Sequence, residues 1–336
     1  MRNTLNLRIL LLTALLTAAA TLTACAQTAA EPEAIPAAEP IATPMPVEAT
    51  ASPSPTDTPE PTPEPTPEVI RTLTIYGKEF SSADTEIDLS NIKIKDGGAE
   101  LLELLDALPH LEKVIMCDCG LSDQQMDDLN RAYEDIRFVW MLHFSAYDIR
   151  TDTNFFMANT DPGAGLSNQD LQLLRYCPDI EIVDLGHKQV SDISFVTSLP
   201  HLRYLLLADS DVADITPVAE LKELEYLELF LTNVTDLSPL LGCPRLVDLN
   251  LCYIPTSAAQ SAYEVIMQMP WLERLFYVNS GLTQEQQNDI RDLLSDDASV
   301  IFTDDTSTAS TGLGWRFHER YYEMRDIIGM MYMSSH

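Results

Sequence analysis

CPDIEIVDLGHKQVSDISFVTS (177–198), LPHLRYLLLADSDVADITPVAE (199–220) and LKELEYLELFLTNVTDLSPLLG (221–242) are consecutive 22-residue windows that align without a gap. Apolar residues recur at window position 4 (Ile180, Leu202, Leu224), position 7 (Val183, Leu205, Leu227) and position 9 (Leu185, Leu207, Leu229). They recur again at position 14 (Val190, Val212, Val234) and position 17 (Ile193, Ile215, Leu237). The period-2 pair at positions 7 and 9 predicts a short strand with one buried face. Asp192, Asp214 and Asp236 at position 16 each precede an apolar residue, which predicts the cap of a short helical or 3₁₀ turn. A fixed period of this length means a stacked repeat array, in which each unit buries its apolar face against its neighbours.

The pattern L-x-x-L-x-x-L-x-L-x-x-N-x-V-x-D-I-x-x-L resembles the 22-residue leucine-rich repeats of internalin-type bacterial surface proteins. The resemblance implies an α/β solenoid with a parallel concave β-sheet and helices or 3₁₀ turns on the convex side. It departs in the Asn column, where Lys188, Ser210 and Thr232 stand. In the family that Asn hydrogen-bonds the turn backbone, so its absence predicts a looser turn. Degenerate copies continue through Leu246, Leu249 and Leu251, then Met269, Leu272, Leu275 and Tyr277. Upstream, Leu108, Leu111, Val114, Met116 and Leu121 fit, with Cys119 in the Asn column. Ile87 and Leu89 are expected to begin the array, and residues 300–302 to end it. Ser122, Ser167 and Thr283 precede helical patterns as capping residues. Trp140 to Phe156 alternates like a hairpin within an insert spanning 137–165, and Asp161-Pro162-Gly163 reads as a turn.

The N-terminus carries an address. Arg2 and Arg8 precede an apolar run over residues 9–22, short for a bilayer span but of the length of a secretory core. Leu22-Thr23-Ala24-Cys25 resembles the bacterial lipobox, which implies lipidation of Cys25 with diacylglycerol and cleavage before it; an ordinary signal peptide with a chance cysteine is the alternative. Residues 26–69 hold 12 of the 21 prolines and eight carboxylates, with no Lys or Arg. Repeated Thr-Pro and Glu-Pro pairs exclude helix and predict an extended, self-repelling stalk. The expected organisation is thus signal peptide 1–24, lipidated cysteine and stalk 25–69, solenoid 70–305, and linker with C-terminal helix 306–336. The chain as a whole is similar to surface lipoproteins of Firmicutes, which implies the extracellular face of the cytoplasmic membrane.

Composition bounds the chemistry. The 336 residues carry 52 acidic and 20 basic side chains, a formal charge of −32. That balance argues against nucleic acid as a partner, because phosphate binding needs net cation. Six cysteines are too few for a disulfide scaffold. Cys177 and Cys243 share a window position three repeats apart, about 14 Å at roughly 4.8 Å per strand, beyond disulfide reach. They read as core residues, while Cys117 and Cys252 read as exposed. No serine-hydrolase elbow, zinc-protease pair or P-loop occurs. Asp209, Asp211 and Asp214 lack the glycine and distal glutamate of an EF-hand loop. The sequon Asn233-Val234-Thr235 reads as chance. No catalytic, metal or cofactor site is expected.

Positions that point out from the sheet place aromatic and acidic residues in adjacent rows. Tyr204, Leu206, Tyr226, Glu228, Phe230, Leu231, Asp248, Asn250, Tyr253 and Phe276 are the candidate partner-binding residues. A contiguous exposed aromatic surface marks an interaction site. The expected partner is a protein or glycan, with basic chemistry favoured by the carboxylates. The rival reading is an envelope scaffold whose concave face is covered by its own insert or tail. In that tail, Phe317, Tyr321, Met324, Ile328 and Met331 form a helical stripe. It reads as a C-terminal capping helix, or else as a partner- or membrane-binding one.

Overall fold

The protein is described by a computed structural model covering residues 70–95, 98–158, 165–303 and 314–329. The signal segment, Cys25, the stalk, the turn at 161–163, the link at 306–311 and Met331 lie outside the described residues. Two compact units are present.

The smaller unit comprises the described residues of 70–84 and 95–110. Strands β1 (Thr72–Ile75) and β2 (Lys78–Ser81) pair antiparallel. Tyr76 and Gly77 both take positive φ, the turn geometry that matches the twist of a two-residue hairpin. Helix α1 (Ala99–Ala107) buries Leu101, Leu104 and Leu105. This hairpin corrects the expected solenoid boundary at residue 70: the parallel repeats begin later, at Glu86.

The larger unit holds the repeats. Strands β3 (Glu86–Asp88), β4 (Lys113–Ile115) and β5 (Arg137–Val139) form a three-stranded parallel sheet, with α2 (Asp123–Ala132) following β4. The expected hairpin is present as β6 (Met141–Phe144) and β7 (Tyr147–Arg150). Its two ends are tied where the Thr151 amide donates to the Trp140 carbonyl and the Trp140 amide to Thr151 Oγ1. Beyond the hairpin, β8 (Phe155–Met157) opens a seven-stranded parallel sheet. It continues in chain order through β9 (Ile182–Asp184), β10 (Tyr204–Leu206), β11 (Tyr226–Glu228), β12 (Asp248–Asn250), β13 (Arg274–Phe276) and β14 (Ser299–Ile301). This is a leucine-rich-repeat solenoid of the α/β class.

Window position decides register. Ile182, Tyr204, Tyr226 and Asp248 all occupy position 6 and pair directly across β9 to β12. The apolar side chains at positions 4, 7, 9, 14 and 17 are buried in all three windows. The convex side carries α3 (Asn168–Leu171), then consecutive 3₁₀ turns at 194–198, 216–220 and 238–242, then α4 (Ala259–Ile266) and α5 (Gln284–Leu293). Asp192, Asp214 and Asp236 each accept from the amide two residues on, at 2.8–2.9 Å, and so start the 3₁₀ turns. Ser122, Ser167 and Thr283 all complete capping boxes.

After each of β9 to β13 the chain turns a corner through a left-handed residue: His187, Asp209, Leu231, Tyr253 and Asn279. The backbone itself closes this corner, the amides of Lys188 and Thr232 donating to the Leu185 and Leu229 carbonyls. The looser turn expected from the missing Asn is therefore not found at these two positions. Thr232 Oγ1 adds a bond to the Leu229 carbonyl, and Cys119 Sγ donates to the Met116 carbonyl in the equivalent place. Cys117 and Cys252 are buried, which corrects their reading as exposed residues. Burial pushes the thiols of Cys119, Cys177 and Cys243 up to about 12, so they are inert packing groups.

Candidate functional site

The face of β9 to β13 opposite the core presents Ile182, Tyr204, Tyr226, Asp248 and Arg274 in one row and Asp184, Leu206, Glu228, Asn250 and Phe276 in the next. All ten are buried, because residues 314–329 lie across them. Tyr204, Leu206, Tyr226, Glu228, Asp248, Asn250 and Phe276 are thus not the open surface expected for a free binding face. Phe230 and Tyr253 are half-buried, and Leu231 is 45% exposed. Of the candidate partner-binding residues, these three keep surface with the tail seated.

Helix α6 (Glu319–Ile327) starts where His318 caps it, Nδ1 accepting from the Arg320 amide. The C-terminal helix expected as a cap is present, and what it covers is the concave face. Trp315 is the anchor. It is fully buried, with ring centroids 5.1 Å from both Tyr226 and Phe276. The Arg274 guanidinium stacks 4.1 Å from its ring and donates to its carbonyl. Met324 is buried in the same cluster, with Tyr321, Ile327 and Ile328 packed around it. Phe317, first in the predicted stripe, is 60% exposed. It precedes the cap, so the helical period does not reach back to it.

Charge complements the apolar seat. Arg316 Nη2 donates to both oxygens of Glu228, at 3.2 and 3.3 Å. Arg320 bridges Asp248 and Glu273, each at 2.6 Å. Arg274 takes the other oxygen of Asp248 at 2.9 Å. From the sheet side, Arg203 reaches Glu323 at 2.9 Å and Glu225 at 3.0 Å. Burial pushes the Glu228 carboxyl above its usual range, with Arg316 as the main opposing pull. Burial followed by repulsion from Arg274 lowers His318, with Asp248 pulling the other way. Three buried polar atoms at this seam have no hydrogen-bond partner among the described residues: Tyr226 Oη, Trp315 Nε1 and Arg316 Nε.

Sequence reasoning located the sheet rows but missed Trp315, Arg316 and Arg320 as their occupants. The signal was available, since an aromatic segment bearing Arg316 and Arg320 follows an acidic aromatic face in the same chain. Elsewhere, among the described residues, no cluster of His, Cys, Asp or Glu is placed to hold a metal ion, and no helix is long and apolar enough to cross a membrane.

No family model and no curated protein sequence matches the chain. Solved structures do. An internalin from Listeria monocytogenes, inlF, is 18% identical with a TM-score of 0.35, over 59% of this chain and 63% of that one. The chain therefore spans less than two thirds of inlF. Internalin C2 of the same organism is 16% identical with a TM-score of 0.30, over 65% and 79% of the two chains. The plant peptide hormone receptor RGFR1, solved in complex with RGF2, is 14% identical with a TM-score of 0.31, over 59% and 40%. At these identities and TM-scores the likeness carries no role over to this chain.

Proposed function

We propose that this protein is a non-catalytic interaction scaffold that works by packing a polypeptide segment into the concave trough of its repeats. A lipid on Cys25 holds it at the outer face of the cytoplasmic membrane, and the stalk spaces the repeats from the bilayer. The observation that carries this reading is the seat of Trp315, Arg316 and Arg320: the trough grips a helical segment by one buried indole and two arginine–carboxylate pairs. The resident tail must yield for a partner to enter. Its fit is compatible with that, because three buried polar atoms at the seam lack protein partners, each costing about 1–3 kcal/mol.

The second reading is an envelope scaffold with the tail as a permanent part of the core, favoured by the complete burial of Trp315 and Tyr226. Hydrogen exchange separates the two. A displaceable tail exchanges its α6 amides through a sub-global opening, faster than the amides of β10 and β11. Exchange of α6 only together with those strands would decide for the permanent scaffold. The anchor is checked separately: Cys25→Ser moves the chain from the membrane fraction to the soluble one, and an unchanged distribution excludes lipid attachment there.

A further inference from the structure

The trough, stripped of its tail, specifies the chemistry of what else fits it. It offers an aromatic socket made by Tyr226, Phe276 and Arg274, where Trp315 sits. Beside that socket stand Glu228 and Asp248, with Glu273 at the outer edge. With the tail seated Glu228 and Asp248 are almost wholly buried, and Asp248 already pairs with Arg274 of the sheet, so an occupant must above all supply a cation to Glu228 and can add a second at Asp248. In the tail, those cations lie one and five residues after the indole, the second on the first turn of α6.

From this we infer that the partner of this trough is a helical peptide segment led by a large aromatic residue, with cations one and five residues after it, which the C-terminal tail imitates in cis. The inference rests on the reading of the trough as a peptide seat and adds the class of peptide. Segments that place no cation opposite Glu228 are disfavoured, whatever their apolar content. The tail then acts as a resident competitor. Joined to the same chain, it is present at a far higher effective concentration than any free segment. An external partner gains entry by matching the indole and both arginines and by adding contacts to the surface that stays open around Phe230, Leu231 and Tyr253.

Full-length chains carrying Trp315→Ala, and separately Arg320→Glu, weaken the resident tail in two chemically different ways. Each is checked for a cooperative thermal transition, so that a folding failure in one leaves the other informative. The probe is a fluorescent synthetic peptide of residues 314–329, used beside a charge-reversed peptide (Arg316→Glu, Arg320→Glu) and one with Trp315→Ala. The expected result is saturable binding of the native peptide to the weakened chains, at least tenfold tighter than to the wild-type chain. The two altered peptides bind at least tenfold more weakly than the native one. If the weakened, folded chains bind none of the peptides, the trough is not an exchangeable seat and the proposed function falls with the inference. If they bind native and charge-reversed peptides equally, the seat stands and the inferred partner chemistry is wrong.

Discussion

His318 sits where the tail is most sensitive to pH. Its Nδ1 accepts from the Arg320 amide, which needs an unprotonated nitrogen, and the same atom lies 4.0 Å from Asp248. The charged groups around it are Arg274, Arg320, Asp248 and Glu319. Burial first, then Arg274, lowers its pKa from the ordinary 6.5. A lowered histidine favours the seated tail above its unfolded value and loses that contribution as pH falls through its folded value. The expected outcome is that wild type loses stability relative to His318→Asn as pH falls below about 6.5, with no pH dependence of the difference above pH 7. Asn keeps the capping acceptor, so the cap itself is not what changes. His143, raised by its bonds to Asp148 and Asp118, acts in the opposite direction and is common to both chains. Melting curves of the two chains from pH 8 to pH 5 check this. A difference that stays constant across that range would assign the lowered value no role in seating the tail.

At the scale of elements, the 3₁₀ turns of neighbouring repeats approach so closely that one position must be glycine. A Cβ at Gly242 would lie 2.8 Å from Ala219 Cα and nearer still to the Ala219 carbonyl oxygen. Gly242→Ala gains up to about 1 kcal/mol from reduced freedom of the unfolded chain but overpacks the stack at a cost of about 1–3 kcal/mol. We expect net destabilisation in urea unfolding. Because the contact is with backbone, Ala219→Gly should fail to rescue it, and rescue would show that the methyl group was the obstacle. Nothing in the sequence marks this position, since Ser198 and Glu220 fill it in the preceding windows. What the period does carry is register, because identical window positions pair across strands. The caps were equally legible, because a side-chain oxygen two or three residues ahead of a turn amide is a local geometry. The tail was half legible. Its stripe foretold a helix with a buried side at Tyr321, Met324 and Ile328, but a stripe does not say what it lies against. Arg316 and Arg320 fall off that stripe, and it is they that pair with the carboxylates beneath. Long-range charge pairing between a tail and a face some seventy to ninety residues away leaves no periodic trace.

For the molecule as a whole, the formal charge of −32 sets how a peptide arrives and the buried pairs set how it leaves. Approach is governed by the summed field of the acidic chain, but residues 314–329 carry Arg316, Arg320 and Arg325 against Glu319, Glu323 and Asp326, so that peptide offers no net charge for the field to steer. That field is screened within a Debye length of about 10 Å at 0.1 M salt and about 3 Å at 1 M. Departure is governed by contacts already shut off from solvent: the Trp315 ring, the Glu228–Arg316 pair and the Asp248 pairs with Arg274 and Arg320, in which the Glu228 and Asp248 carboxylates are almost completely buried. Mobile ions do not reach these, so screening changes them little. Neither rate should therefore depend steeply on salt. Between 20 mM and 0.5 M salt, the association rate of the 314–329 peptide with the Trp315→Ala chain should change less than about threefold, because a peptide of zero formal charge is barely steered. Its dissociation rate should change less than about twofold, because the pairs that hold it are buried. Stopped-flow fluorescence measures both. A dissociation rate that rises severalfold with salt would place the arginine–carboxylate pairs in solvent, and the closed seam between tail and sheet would have to be abandoned.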